Sequence, residues 1–537
     1  MKRMIVVVSF FSIFLLVISI RIFYISTFKN NEYKDRMTSQ SSLVIQKSMD
    51  RNNIYDRNLI SFTNAGKKKI GVVVKSEDQD ADFSICEILD KENVYKNFNI
   101  LYKNNVVYIP VRWDFNENLV SEYKNVKIIE DVKRYNNSGN GAAVIGYILD
   151  GKGVTGIEYV ADDYLNTKGE NTTVIRDANG KYLPGISFKA EENNGVSLKT
   201  TLDKRYTDIC QNAFKDIFGS AVLLEVPSFD LIAMVSSPSF NRNNVENYLN
   251  DSSEPLINRA IQNYDMGSVF KIVVTAAALE NRSINSDEKF DCNGIKRIGN
   301  VDFLCNNHEK SDSFSLSSAF LASCNSVFID IGLKTGYNNI ISMARSFGFS
   351  DRLILPEKFP QNAGILPDEN NYYLADVANI SIGQGKLMGT PVHGAVLSCI
   401  IASGGIRRQI NCLDSLIDDK FKTIKNLRSS EQTRVISEDT AEIIKNLMID
   451  TVKYGTGKGA ESKIVSCAGK TGSAETGITK NGEKYVHAWF TGFFPIENPR
   501  YALCVFIENG KSGALSAAPV FKKIMEEICK LEGIINE

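Results

Sequence analysis

Between Met4 and Ile20 the chain reads MIVVVSFFSIFLLVISI without one charged side chain, and Lys2 and Arg3 stand immediately before it. A run of this length matches the hydrocarbon core of a bilayer. Arg21, Ile22 and Phe23 follow it in place of a small-residue cleavage pattern, so it reads as an uncleaved signal anchor. The positive-inside rule keeps the basic tip in the cytoplasm and sends everything after about residue 25 to the outer face. A buried helix of a soluble protein is the alternative, and the complete lack of charge argues against it.

The remaining chain must therefore fold outside the cytoplasm. The full chain's 537 residues exceed what one core organises and predict two or three folded units. Lys+Arg number 62 against Asp+Glu 63, a net charge of -1 that excludes a general nucleic-acid binder, which needs a basic surface. Ten cysteines in an exported chain raise the question of a disulfide framework, but a domain this large does not need one. Most sit singly in apolar runs, as Cys399 does in AVLSCIIA and Cys504 in YALCVFIE, and read as small core residues. Cys292, Cys305 and Cys324 fall together in one stretch.

Residues 1-25 form the cytoplasmic tip and anchor. Residues 26-199 are rich in Lys, Asn, Asp and Glu, with short β-branched runs such as KKIGVVV, NVVYIPV and AAVIGYIL between turn residues. They predict an elongated, mostly β pedestal with a few helices. Its punctuated stretches, RNNIYDRN at Arg51, GKGVTGIEYVADDYL at Gly151 and IRDANGKYLPG at Ile175, read as turns and caps. From residue 200 to 537 the character changes. SAVLLEV and DLIAMVSS form a hairpin starting near Ala221, helical patterns fill the stretch from Ser268 to about Gly405, and three more strand runs (IVSCAGKTGSAE, YVHAWFTGFFP, YALCVFIEN) precede the helix APVFKKIMEEICKLEG. Strands at both ends with helices between them predict an α/β (α+β) domain with an antiparallel five-stranded sheet covered by helices on both faces.

The chemistry concentrates in that domain. QNYDMGSVFKIVVTAAALE places Lys271 one helical turn after Ser268, on the same face, in apolar surroundings. Burial disfavours the ammonium and makes a base of the lysine, which gives the serine hydroxyl a proton acceptor. The helix start adds free N–H groups and partial positive charge for a developing oxyanion. The SEYK at Ser121 and SDEK at Ser286 carry the same spacing in polar surroundings and read as solvated surface. Only His308, His393 and His487 are available for a Ser-His-Asp arrangement; His393 lies in a packing helix and His487 on a strand.

SCN, with Ser323 and Asn325 two residues apart, and KTGSAE, with Lys470, Thr471, Gly472 and Ser473, extend the constellation. SFN at Ser239 and SIN at Ser283 repeat one pattern elsewhere, and a second KTG at Lys334 closes an apolar helix as an ordinary C-terminal stop.

These motifs, in the order SVFK, SCN, KTG, resemble those of the penicillin-recognising serine transpeptidases, in particular the class B, monofunctional penicillin-binding proteins. HAWFTGFFP and SIGQGKLMGTP resemble the family's flanking segments, RNNIYDRN resembles its R-G-x-I-x-D-R-N with Asn52 in place of the glycine, and GVTGIEYVADDYL and RDANGKYLPG resemble its later pedestal segments. Ser473 stands where threonine is commoner and keeps the hydroxyl. No glycosyltransferase domain is expected before the pedestal and no repeat domain after the last helix.

The resemblance implies acyl transfer on peptidoglycan stem peptides. Ser268 would attack the D-Ala-D-Ala carbonyl, Lys271 would take its proton, Ser323 would relay a proton to the leaving nitrogen, and Asn325 would hold Lys271 and the substrate amide. Lys470 would supply positive potential, Thr471 and Ser473 would bind the terminal carboxylate, and the Ser268 and Ser473 N–H groups would form the oxyanion hole. β-Lactams would acylate the same serine. No cofactor is implied for catalysis, and the implied partners are a lipid II glycosyltransferase and other wall-synthesis proteins at the membrane.

One further cluster stands apart. Cys292, Cys305 and His308 are spaced C-x12-C-x2-H, and with Asp291 they make a four-ligand set suited to structural zinc. A Cys292–Cys305 disulfide, which an oxidising exterior allows, and unlinked thiols are the alternatives. Two other functions share the motifs: a β-lactam hydrolase or sensor, for which the sequence offers no base to activate water, and a non-catalytic wall-synthesis scaffold, which would not need the complete motif set.

Overall fold

The computed structural model describes residues 2–29, 42–46, 51–64, 66–112, 114–166, 171–175, 196–285, 287–305, 311–355, 358–480 and 483–534. The RDANGKYLPG stretch and His308 lie outside them. The chain divides into two compact units, one of Met1–Arg51, Gly66–Lys133 and Thr167–Asn194, the other of Asn52–Ala65, Arg134–Asn166 and Gly195–Glu537.

In the first unit, helix α1 (Lys2–Phe28) contains one apolar span, Val7–Thr27, long enough to cross a bilayer. Strands β1 (Gly66–Val74), β2 (Val106–Val111) and β3 (Val126–Lys133) form an antiparallel sheet in the order β2-β1-β3, with helices α2 (Gln79–Leu89) and α3 (Val94–Asn104) between β1 and β2. The Asp78 carboxylate caps α2 by accepting from the Asp80 and Ala81 N–H groups. Val73, Ile85, Leu101 and Ile109 close a small core between helices and sheet.

The second unit is organised by a five-stranded antiparallel sheet. Its strands are β4 (Gly219–Glu225), β5 (Leu231–Ser237), β6 (Ala468–Lys480), β7 (Glu483–Phe494) and β8 (Tyr501–Gly510), in the order β5-β4-β8-β7-β6. Alternation along β8 explains why its sequence is apolar without interruption. Ala502, Cys504 and Phe506 face one core, while Leu503 and Val505 face the other. Helices α5 (Lys271–Glu280) and α8 (Pro391–Ala402) belong to the first layer, and α4 (Lys204–Ala213) and α10 (Ala518–Glu532) contribute to the second. Every residue of α8 from Pro391 to Ile401 is buried, as expected of a helix enclosed on all sides.

Two stretches ahead of residue 200 pack into this unit. The Asp56 carboxylate accepts from the N–H groups of Asn58, Ile60 and Lys204, and Arg57 pairs with Glu225 of β4. Glu158 is fully buried and receives Arg134 at 2.9 Å and the Tyr135 hydroxyl at 2.8 Å. Residues of RNNIYDRN and GVTGIEYV thus make fixed polar contacts inside this unit.

Candidate active site

The approach of three backbones builds the site. The helical turn Gly267–Phe270 leads into α5, and Gly267 takes a positive φ of 54° that favours glycine. Its N–H donates to Gly383 O at 2.9 Å. A Cβ at Gly267 would lie 2.9 Å from Ser473 O, one at Gly472 would lie 2.9 Å from Met266 O, and one at Gly383 would lie 1.9 Å from Gly267 O. Glycine at these positions lets the Ser268 turn, strand β6 and the SIGQG loop meet in backbone contact. Ser268 is left partly exposed, and its Oγ makes no hydrogen bond among the described residues. Catalytic hydrogen bonds commonly tighten only when substrate is bound.

Lys271 is 0% exposed. Its Nζ donates to Ser323 O at 2.7 Å, Ser323 Oγ at 3.2 Å and Asn325 Oδ1 at 2.8 Å. Burial pushes its pKa down to about 7, with the nearby Cys324 and Cys305 thiols opposing the fall. Ser323 sits between helices α6 (Leu316–Leu321) and α7 (Asn325–Thr335) with φ of 56°, a costly backbone for a residue with a Cβ, which aims its side chain at both lysines. Lys470 on β6 is equally buried and donates to Ser323 Oγ at 3.0 Å and Thr471 O at 3.2 Å. Burial, and then the charge of Lys271, drive its pKa well below the ordinary lysine value. Two ammonium groups on one oxygen repel, so the pair favours holding a single charge between them.

Strand β6 is the edge of the sheet, paired with β7 on one side only, in a register that sets Lys470 against Thr491 and Ser473 against Ala488. Thr471 and Ser473 are alternate residues and project to one face of β6. Ser473 Oγ accepts from the Gly513 N–H at 3.0 Å, which leaves its own proton for another acceptor. The site therefore brings together a serine at a helix start, two buried amines on a shared hydroxyl, a carboxamide and a strand edge with two hydroxyls.

Residues 219–526 match the family model described as the penicillin binding protein transpeptidase domain. The chain belongs to the penicillin-binding protein transpeptidase family. The peptidoglycan D,D-transpeptidase PbpA of Mycobacterium tuberculosis is 30% identical over 417 residues, covering 72% of this chain and 82% of PbpA. Among solved structures, penicillin binding protein 3 of Mycobacterium tuberculosis complexed with aztreonam has a TM-score of 0.67 at 21% identity, covering 92% of this chain and 98% of that one. The Helicobacter pylori penicillin-binding protein PBP2, solved in complex with MreC, has a TM-score of 0.71 at 21% identity, covering 91% and 98%.

Among the described residues, the two histidines of this penicillin-binding protein, His393 and His487, make no contact with the lysine cluster. His393 pairs through Nδ1 with Thr390 Oγ1 at 2.8 Å as part of the α8 cap, and burial pushes its pKa down to about 4, so it is neutral. His487 packs between the rings of Tyr264 and Phe506. The second KTG ends α7, where Thr335 Oγ1 donates to Ile331 O of its own helix.

The cysteine cluster departs from the sequence-based ligand set. The sulfurs of Cys292, Cys305 and Cys324 all lie within 4.8 Å of one another and are buried. Asp291 does not join them. In the strand Phe290–Cys292 its neighbours are buried and Asp291 itself is exposed, because successive side chains of a strand point to opposite faces. Cys324 occupies the third position instead. Its Sγ is 3.6 Å from Cys305 Sγ and accepts from the Val327 N–H as the α7 cap, while Cys305 Sγ accepts from the Asn325 N–H at 3.2 Å. The signal for Cys324 was its place in the middle of SCN, next to Ser323.

Proposed function

We propose that the protein is a membrane-anchored peptidoglycan D,D-transpeptidase that cross-links stem peptides through an acyl-enzyme on Ser268. The observation that carries this reading is the burial of Lys271 and Lys470 on the one hydroxyl of Ser323, a chain of proton-exchanging groups beside an accessible serine. Ser268 Oγ forms a bond to the penultimate D-Ala carbonyl carbon as its proton passes to neutral Lys271. The tetrahedral oxyanion is met by the N–H groups of Ser268 and Ser473, a contact worth about 3 to 4 kcal/mol per donor. The C–N bond then breaks, and the departing D-Ala nitrogen takes its proton from Lys271 by way of Ser323. An amine of a neighbouring strand attacks the ester, gives its proton back along the same path and releases Ser268. Asn325 holds Lys271 and the substrate amide, Lys470 shares the positive charge, and Thr471 and Ser473 receive the terminal carboxylate.

The positive-inside rule supports a cytoplasmic N-terminal tip with the catalytic unit on the outer face, where the resemblance implies a lipid II glycosyltransferase as partner. A structural zinc held by Cys292, Cys305 and Cys324 suits three clustered sulfur donors, while His308 of the sequence-based set lies outside the described residues. Metal analysis of purified protein, with and without Cys305→Ser, tests the zinc: stoichiometric zinc lost in the variant supports it, and metal-free wild type carrying thiols or a disulfide refutes it. Mass spectrometry after exposure to a fluorescent penicillin tests the main reading. A stable adduct on Ser268 is expected; rapid turnover of the drug would favour a hydrolase, and no adduct would remove the nucleophile.

A further inference from the structure

Past the C-terminus of α9 (Glu438–Tyr454), the sequence YGTGKGA turns back onto the site. The Gly455 and Gly457 N–H groups both donate to Thr451 O, at 3.1 and 3.0 Å. A Cβ on Gly455 would lie 2.6 Å from Leu321 O, and one on Gly457 would lie 3.0 Å from Thr451 O, so this loop admits no side chain on either flank of Thr456 without moving. Thr456 itself is held from both directions. Its N–H donates to Leu321 O at 3.1 Å, at the end of α6 and two residues before Ser323, and its Oγ1 lies 2.8 Å from Thr471 Oγ1.

We propose that Thr456 is a positioning residue that fixes the proton of Thr471 toward an anionic substrate terminus and so makes the site selective for a free carboxylate. A threonine hydroxyl has one proton to donate, and an ionised carboxylate only accepts. If Thr471 donated to Thr456, it would have nothing left for the substrate. When Thr456 donates to Thr471, the Thr471 proton is free for the anion, and the two hydroxyls polarise one another in a chain directed at the negative charge. The clamp of Gly455 and Gly457 holds this geometry before substrate arrives, and the bond to Leu321 ties the carboxylate end of the site to the end of α6, two residues before Ser323. This inference rests on the acyl-transfer reading above.

The test measures the second-order rate of Ser268 acylation in the full chain by benzylpenicillin and by its carboxylate methyl ester, for wild type, T456V, T456A and T456S. Thermal unfolding of each variant is followed in parallel. Loss of one such hydrogen bond corresponds to about a tenfold change. T456V and T456A are expected to lower the rate with the free carboxylate about tenfold while leaving the ester within about twofold, and T456S to keep both rates within about twofold. Equal loss on both compounds, as a merely structural role would give, overturns the proposal, as does no loss on either. Wild type that fails to acylate at Ser268 sinks the acyl-transfer reading and this proposal with it. Wild type that acylates normally beside a silent T456V sinks the proposal alone.

Discussion

Lys271 and Lys470 meet on a single oxygen, with Nζ atoms 3.2 and 3.0 Å from Ser323 Oγ. The alanine variant Ser323→Ala keeps a Cβ at the strained φ of 56° and removes only that oxygen. Acylation by a fluorescent penicillin is expected to fall about a hundredfold, the scale of a lost proton-transfer partner. Stability is expected to fall by about 1 to 3 kcal/mol, because two buried amines lose an acceptor. Stopped-flow fluorescence and denaturant unfolding measure the two effects separately.

The pH dependence follows from Lys271. Its amine acts as a base only when unprotonated, so the acylation rate should rise with pH, reach half its maximum near 7 and level off above. Stability moves the same way. Unfolding returns Lys271 from about 7 to its ordinary 10.5, so between those values the unfolded chain binds the extra proton and folding becomes more favourable as pH rises. In Lys271→Met this contribution is absent. Denaturant melts of wild type and variant across that range should show the wild type gaining relative to Lys271→Met as pH rises.

The catalytic constellation was legible because each motif couples a reactive residue to a periodicity that buries it. SVFK leads into an apolar helix, and KTG follows the apolar run IVSCAG and lies on strand β6. The inner strands were legible for the same reason, since a strand enclosed on both faces reads as an unbroken apolar run, as Val222 to Leu224 and Ala502 to Ile507 do. What the sequence concealed was the third dimension of short polar segments. Asp291 and Cys292 are adjacent in the chain and opposite in the strand, and Cys324, nineteen residues beyond Cys305, completes the sulfur cluster only because α6 folds back between them. Thr456 was equally hidden. A threonine between glycines reads as a loop until a second hydroxyl is found beside it.

Arg134 and Glu158 form a buried ion pair whose loss should spare the chemistry. The pair is 8% and 0% exposed, and Arg134 also donates to Asn52 O at 2.7 Å and Asn64 Oδ1 at 3.1 Å. Arg134→Met strands a buried carboxylate and should cost about 3 to 5 kcal/mol. Adding Glu158→Gln removes the stranded charge and should restore part of the loss. The acylation rate of the folded protein should stay at the wild-type level in both variants, since neither residue touches the lysine cluster. Urea unfolding and penicillin labelling at low temperature check the two halves of this prediction.

Gly267→Ala tests the claim that backbone contact, rather than side-chain chemistry alone, makes the serine reactive. The variant leaves Ser268, Lys271, Ser323 and Lys470 in place. It adds one methyl group at a φ of 54°, where a residue with a Cβ costs about 1 to 2 kcal/mol, and that methyl would lie 2.9 Å from Ser473 O. Neither backbone can yield cheaply: β6 is paired along β7, and the Gly267 N–H is bonded to Gly383 O. The serine turn must therefore lift away from β6, and with it the Ser268 N–H from the Ser473 N–H that would share the oxyanion. Losing one such donor costs about 10² to 10³ in rate. Gly267→Ala is accordingly expected to fold, with a melting temperature lowered by a few degrees, and to acylate at least about a hundredfold more slowly than wild type. A variant with wild-type acylation would show that the close approach of Gly267 to Ser473 has no part in catalysis.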